Sequence, residues 1–218
     1  MLIRIFENMR GMDVSDIAIQ IMATVAAVLI CLIVHEICHG LAAYALGDPT
    51  AKRMGRFSFN PVRHIDPIGG LMLLLLGFGW AKPVMVDPRY FENPKRDMAL
   101  TALAGPVSNF ILAFLSMGLL ANTARWALGA GLVGAALFSF LRTLVFLNIG
   151  LGVFNLIPIP PLDGSKVLGA FLPDRMYWQL MRFERYGMFI LLFLLMFGRI
   201  DLNRFVNGIF NAMLGVWT

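Results

Sequence analysis

The sequence predicts an all-α polytopic membrane protein. It has a three-helix core, a short re-entrant or extended β-like element between the first and second core helices, and further helices at the C-terminus. Three observations predict this. Hydrophobic residues make up 59% of the 218, against roughly 45–50% in soluble domains. Charged residues make up 14%, against about 25%. The apolar residues also fall in runs long enough to cross a bilayer. A soluble fold of this size has no interior large enough for so much apolar side chain, which excludes a soluble enzyme. The same numbers exclude a disordered chain, a collagen and a disulfide scaffold. The net charge of +5 does not imply a nucleic-acid partner. The basic residues lie in loops between apolar stretches, where topology charges belong.

Residues 17–34 carry no charge, and the apolar character continues past a His-Glu pair to Gly47. A run of that length is a spanning helix, and Gly47-Asp48-Pro49 stops it. Residues 67–81 are fifteen uncharged residues with four glycines. They are short for a span and read as a re-entrant or extended element, tolerable in a bilayer only where protein covers the backbone. The alternation in Arg56-Phe57-Ser58-Phe59 suggests a strand edge beside it. Residues 98–124 form the second span and 137–157 the third. Residues 186–198 are a short candidate for a fourth, and 205–217 for a half-depth or interfacial segment. The whole chain, 1–218, reads as one membrane-embedded domain, with a core over about 15–172 and accessory helices over about 173–218. Positions 48–97 carry eight Lys/Arg and 163–185 carry four, against two each in 121–142 and the N-terminal tail. The positive-inside rule therefore places 48–97 and 163–185 in the cytoplasm. Cys31 and Cys38 lie seven residues apart in one helix, about 10 Å of rise, too far for a disulfide.

Two of the three histidines fall in His35-Glu36-Ile37-Cys38-His39. Helical residues four apart share a face, so both imidazoles can bind one metal ion, at roughly 2.0–2.1 Å for zinc. Glu36 lies about 100° round the helix, beside the metal, where it can take a proton from a water that zinc acidifies. This is the H-E-x-x-H pattern of zinc metalloproteases. Structural packing of the three residues is the alternative, but ionisable groups inside a span are costly and mark function by default. Cys38 points away from the His35–His39 face and reads as a small packing residue.

Catalytic zinc needs a third protein ligand and one open position. Asp163 is the candidate, in Asn155-Leu156-Ile157-Pro158-Ile159-Pro160-Pro161-Leu162-Asp163-Gly164. The prolines end the helix and extend the chain. The alternative is an interfacial turn with a solvated aspartate. Depth favours the metal reading. His35 lies eighteen residues inward from Ile17, roughly 27 Å at helical rise, and Asp163 lies twenty residues from Thr143, at a similar level. Between them runs Ala102-Leu103-Ala104-Gly105-Pro106-Val107-Ser108-Asn109, where small residues allow close helix approach and Pro106 predicts a kink. Asn109 and Asn155 are amides inside apolar helices. Each either makes an interhelical hydrogen bond or holds substrate backbone or the oxyanion near the zinc. His64, between Pro61 and Pro67, either organises its loop or lines an access path or a second metal position.

These motifs resemble the site-2 proteases, the zinc intramembrane metalloproteases, and most of all their small prokaryotic branch without a PDZ or CBS domain. The likeness rests on H-E-I-C-H at 35–39, A-G-P-V-S-N at 104–109 and N-L-I-P-I-P-P-L-D-G at 155–164, with loop stretches at 59–69 and 82–97, and covers about residues 30–170. The resemblance implies one Zn2+ held by His35, His39 and Asp163, Glu36 as general base, and Asn155 assisting substrate or transition state. The loop charges and the depth of these residues predict a multi-pass protein of the cytoplasmic membrane, surrounded by lipid bilayer, with its active site nearer the cytoplasmic side and no nucleic-acid partner. The resemblance further implies single-pass membrane proteins as substrates. Two rival classes are a metal-ion transporter and a silent scaffold for membrane helices. Only one segment is broken by proline, whereas transporters pair broken half-repeats, and a scaffold has no use for Glu36.

Overall fold

The computed structural model describes residues 14–66, 69, 82–197 and 202–217. Helix α1 (Val14–Ala45) has 32 residues, about 48 Å at helical rise, more than the roughly 30 Å of a bilayer core. It closes on Gly47, whose φ of +105° suits a residue without a Cβ. That conformation lets the Asp48 amide reach back to the Ala43 carbonyl at 2.9 Å. A single-turn helix α2 (Thr50–Arg53) follows.

Helices α3 (Pro94–Gly129) and α4 (Gly131–Asn155) meet end to end through Ala130. The reversal uses a φ of +58° at Gly131. It brings Gly134 so close that a Cβ there would lie 2.0 Å from the Ala127 carbonyl oxygen. The second and third spans thus extend well beyond 124 and before 137. Three helices follow among the described residues: α5 (Asp163–Phe171), α6 (Asp174–Phe197) and α7 (Leu202–Trp217).

Helices α1, α3 and α4 pack against one another; α5 lies on α3, α7 crosses α4 and α3, and α6 rests on α5. Ala113, Met117 and Leu120 of α3 interlock with Leu141, Val145 and Ile149 of α4, and Phe210 and Met213 of α7 cover them. Glycines permit the approach: the Phe110 ring sits over Gly152, and Trp217 over Gly118. Cys31 and Cys38 are both free thiols.

Among the described residues, three helices are long and apolar enough to cross a membrane: α1, α3 and α4. The fourth span expected over 186–198 is the second half of α6. That helix starts earlier, and its first half carries Asp174, Arg175, Arg182, Glu184 and Arg185. The β-like element expected over 67–81 lies outside the described residues, Gly69 excepted. No strand is present among the described residues, and 56–59 does not form the expected edge. Side chains and one main-chain bond hold the described part of this region. The buried Arg56 guanidinium donates to the carbonyls of Arg63 and Pro83, and the His64 ring binds the Ser58 carbonyl at 2.6 Å. The Lys82 amide donates to the His64 carbonyl at 2.8 Å.

Arg56 therefore joins residues 55–64 to the extended segment 82–87. An Arg56→Gln protein should keep its helical circular dichroism. It should be cut by added protease within 55–87 at least about 10-fold faster, equivalent to one lost charged hydrogen bond of about 1.5 kcal/mol. Cleavage at the wild-type rate would show that Arg56 does not secure these segments.

Candidate metal centre

His35 and His39 stand one turn apart on α1, their ring centroids 4.5 Å apart and their planes at 90°. Their Nε2 atoms face each other at 2.9 Å. Asp163, the first residue of α5, brings Oδ2 to 3.2 Å from each Nε2. The three ligand atoms form a near-equilateral triangle, all within 4.8 Å. Its sides are close to the roughly 3.3 Å that separates ligand atoms around a tetrahedral zinc at about 2.0–2.1 Å.

The donor chemistry of the surroundings supports a cation at the centre of this group. His39 Nδ1 lies 2.7 Å from the Thr101 carbonyl. A carbonyl only accepts, so Nδ1 carries the hydrogen, and the neutral ring that a metal requires presents its lone pair at Nε2. His35 Nδ1 lies 2.6 Å from Asn109 Oδ1, which imposes the same arrangement. Asp163 Oδ2 is buried without a hydrogen-bond donor. Two lone pairs and a carboxylate oxygen thus converge in a buried space, and a bound cation is the partner that satisfies all three.

Gly105 completes the cradle. A Cβ at this position would lie 2.4 Å from His39 Nε2 and 2.6 Å from His35 Cε1. The A-G-P-V-S-N segment of α3 therefore places bare backbone against both rings. Pro106 lies within the continuous α3, and Ser108 donates its hydroxyl to the Gly105 carbonyl at 2.6 Å. Asp163 is delivered by the turn after α4, where the Leu162 amide bonds the Ile159 carbonyl at 2.9 Å. Gly164 presses on the Leu156 and Ile157 carbonyls with no room for a side chain, and Gly187 of α6 presses on the Pro160 carbonyl.

Glu36 is half-buried, and its Oε2 accepts the Val84 amide at 2.8 Å. The extended segment 82–87 therefore runs beside the histidine-bearing face of α1. Asp48, fully buried, fixes its far end: Oδ2 accepts the Asp87 amide at 2.8 Å, and Oδ1 accepts the Thr50 amide and hydroxyl.

Of the two amides expected near the zinc, Asn109 makes the interhelical bond. It is fully buried, with Oδ1 on His35 and Nδ2 on Asn148 Oδ1 at 2.8 Å. Both ends of its side chain are engaged, so it does not present an amide to substrate. Asn155 is half-buried at the end of α4 and donates to its own Leu151 carbonyl at 3.1 Å. It makes no hydrogen bond to the His-His-Asp group. His64 is buried with Nε2 on Ser58, the loop-organising arrangement, and its Nδ1 has no partner. Sequence reasoning missed Asn148, although it carries the signal that singled out Asn109 and Asn155: an amide inside an apolar helix. It also missed the Val84 amide and Arg56, for which the sequence holds no local signal.

Apolar spans packed around a buried His-His-Asp group, with the Glu36 carboxylate on the histidine-bearing helix, define a membrane-embedded metal site. Residues 124–198 match the family model described as Peptidase family M50. A Bacillus subtilis protein named "Putative zinc metalloprotease YwhC" is 38% identical over 173 residues, 78% of each chain. "Putative zinc metalloprotease Rip2" of Mycolicibacterium smegmatis is 30% identical over 176 residues, 78% of this chain and 65% of that one. Rip2 of Mycobacterium tuberculosis H37Rv is 33% identical over 153 residues, 68% of this chain and 56% of that one. The chain thus spans less than two thirds of either Rip2 protein. No solved structure matches it. The chain belongs to peptidase family M50, the site-2 proteases.

Proposed function

We propose that this protein is an intramembrane zinc metalloprotease that hydrolyses peptide bonds within or near the transmembrane segments of membrane proteins. The observation that carries the reading is the buried triangle of His35 Nε2, His39 Nε2 and Asp163 Oδ2, with Glu36 one residue along the same helix. His35, His39 and Asp163 hold the zinc. Zinc, when bound, supplies Lewis acidity to the site. Glu36 takes the proton of the attacking water and returns it to the leaving amine. The Val84 amide holds Oε2, which leaves Oε1 for the proton. Asn109 and Thr101 orient the two imidazoles. Asn155, outside the metal group, meets substrate or the transition state. The whole chain acts as one domain around this centre.

The eight Lys/Arg between positions 48 and 97 support a site near the cytoplasmic face of the cytoplasmic membrane. The substrates are single-pass membrane proteins, whose helix must unwind locally to expose a scissile bond. Membranes containing the protein should release new fragments of single-pass proteins. A zinc chelator should stop their release, and resupplied zinc should restore it. Fragments that persist through chelation overturn the reading. So does zinc flux into proteoliposomes without cleavage, which would identify a transporter.

A further inference from the structure

The two zinc-binding histidines are oriented by different means. His39 Nδ1 meets a backbone carbonyl, Thr101 O, which accepts and cannot donate. His35 Nδ1 meets Asn109, whose side chain has an accepting and a donating end. Turned over, Asn109 would present NH2 to His35. The imidazole would then have to accept at Nδ1 and carry its hydrogen at Nε2, where the zinc belongs. Something must set the direction of the Asn109 amide.

We infer that Asn148 is a positioning residue for the metal centre, which fixes the direction of Asn109 and through it the hydrogen of His35. Asn148 lies on α4, on the side of Asn109 away from His35, and is fully buried. Its Nδ2 donates to the Leu144 carbonyl at 2.8 Å. Because that carbonyl only accepts, Asn148 must turn its NH2 toward it and its Oδ1 toward Asn109. Oδ1 then accepts Asn109 Nδ2 at 2.8 Å. The Cys31 carbonyl, at 3.5 Å, is a second acceptor on the same end of Asn109. Asn109 is left with Oδ1 toward His35, and His35 with Nε2 bare. Every hydrogen in the relay points one way, from His35 through two amides to a backbone carbonyl of α4. The chain crosses all three core helices. The inference rests on the zinc-protease reading for the identity of the metal, but concerns metal affinity and not cleavage.

The test is zinc affinity, measured in detergent by competition with a chromogenic chelator. Asn148→Leu keeps the branching of the side chain and removes the relay. Asn148→Ser keeps a hydroxyl for the Leu144 carbonyl but is too short to reach Asn109. Both should bind zinc about 10–100-fold more weakly, the usual cost of losing a partner of a ligating histidine. The metal-free proteins should keep the wild-type thermal midpoint. In an Asn109→Asp background the Asn148→Leu effect on zinc should vanish, because a carboxylate accepts from His35 at either oxygen and needs no orienting. Unchanged zinc affinity in both single variants overturns the inference. So does an effect of the same size in the Asn109→Asp background, or unfolding of both metal-free variants, which would make Asn148 a packing residue. A wild-type protein that binds no zinc would instead refute the proposed function.

Discussion

Glu36→Gln should abolish cleavage while the protein keeps its zinc. Glutamine matches the size of glutamate, and its carbonyl oxygen can still accept the Val84 amide that now sits 2.8 Å from Oε2. The three ligand atoms belong to other residues, so the metal content should stay at one per chain. What disappears, on the proposed mechanism, is the group that receives the proton of the attacking water. General acid–base groups contribute about 10²–10⁴-fold, and the proposed mechanism gives one carboxylate both proton transfers, so the loss should reach or exceed the top of that range. Glu36→Asp should fall less steeply, since it keeps the base but withdraws it by one methylene from Val84 and from the water. Fragment release is read by mass spectrometry of membranes from wild type and variant, and zinc by elemental analysis of the purified proteins. A glutamine variant that cleaves at the native rate removes Glu36 from the chemistry. A variant that loses its zinc makes Glu36 part of the metal site.

Most of the metal group was legible in the sequence because a membrane makes charge conspicuous. His35, Glu36 and His39 interrupt a span that carries no other acidic or basic residue from position 17 to Ala45. The helical repeat alone then puts two imidazoles on one face. Asp163 was harder: proline marks the break, but only a depth argument joined it to the histidines, and the 3.2 Å contacts show the two segments meeting. The sequence could not show what turns a ligand into a positioned ligand. The Val84 amide lies 48 positions from Glu36 and Arg56 lies 27 from Pro83, and a backbone group leaves no trace in residue identity. Asn109 left two readings open because an amide in a span looks the same whether it faces a neighbouring helix or a substrate. Packing decided between them: full burial and two engaged ends leave no face for a ligand. The short candidate for a fourth span over 186–198 is a different case: among the described residues its apolar run continues a helix that begins at Asp174, and the charges of that first half keep the helix out of those apolar enough to cross a membrane.

Gly105→Ala should empty the metal site without disturbing the rest of the fold. A single methyl group there would stand 2.4 Å from His39 Nε2, 2.5 Å from His39 Cε1 and 2.6 Å from His35 Cε1. Those distances lie far inside van der Waals contact, so something must move. The α3 backbone has little freedom, because it is packed between α1, α4 and α5 and Asn109 ties it to Asn148 of α4. The imidazoles are the parts able to rotate, and rotation carries Nε2 away from Asp163. Overpacking a buried site costs about 1–3 kcal/mol, which many membrane folds survive. Misplacing two of three zinc ligands is not survivable for the centre. The purified Gly105→Ala protein should therefore be folded and helical, contain less than about a tenth of the wild-type zinc and show no cleavage. Gly150→Ala is the control: it lies on α4, where an added Cβ meets nothing within 4 Å, and should retain both zinc and activity. Full zinc occupancy in Gly105→Ala would mean that the rings do not sit against α3 as described. Loss of zinc in both variants would point to a general effect of adding methyl groups to these helices, and would separate the glycine of the A-G-P-V-S-N segment from the metal altogether.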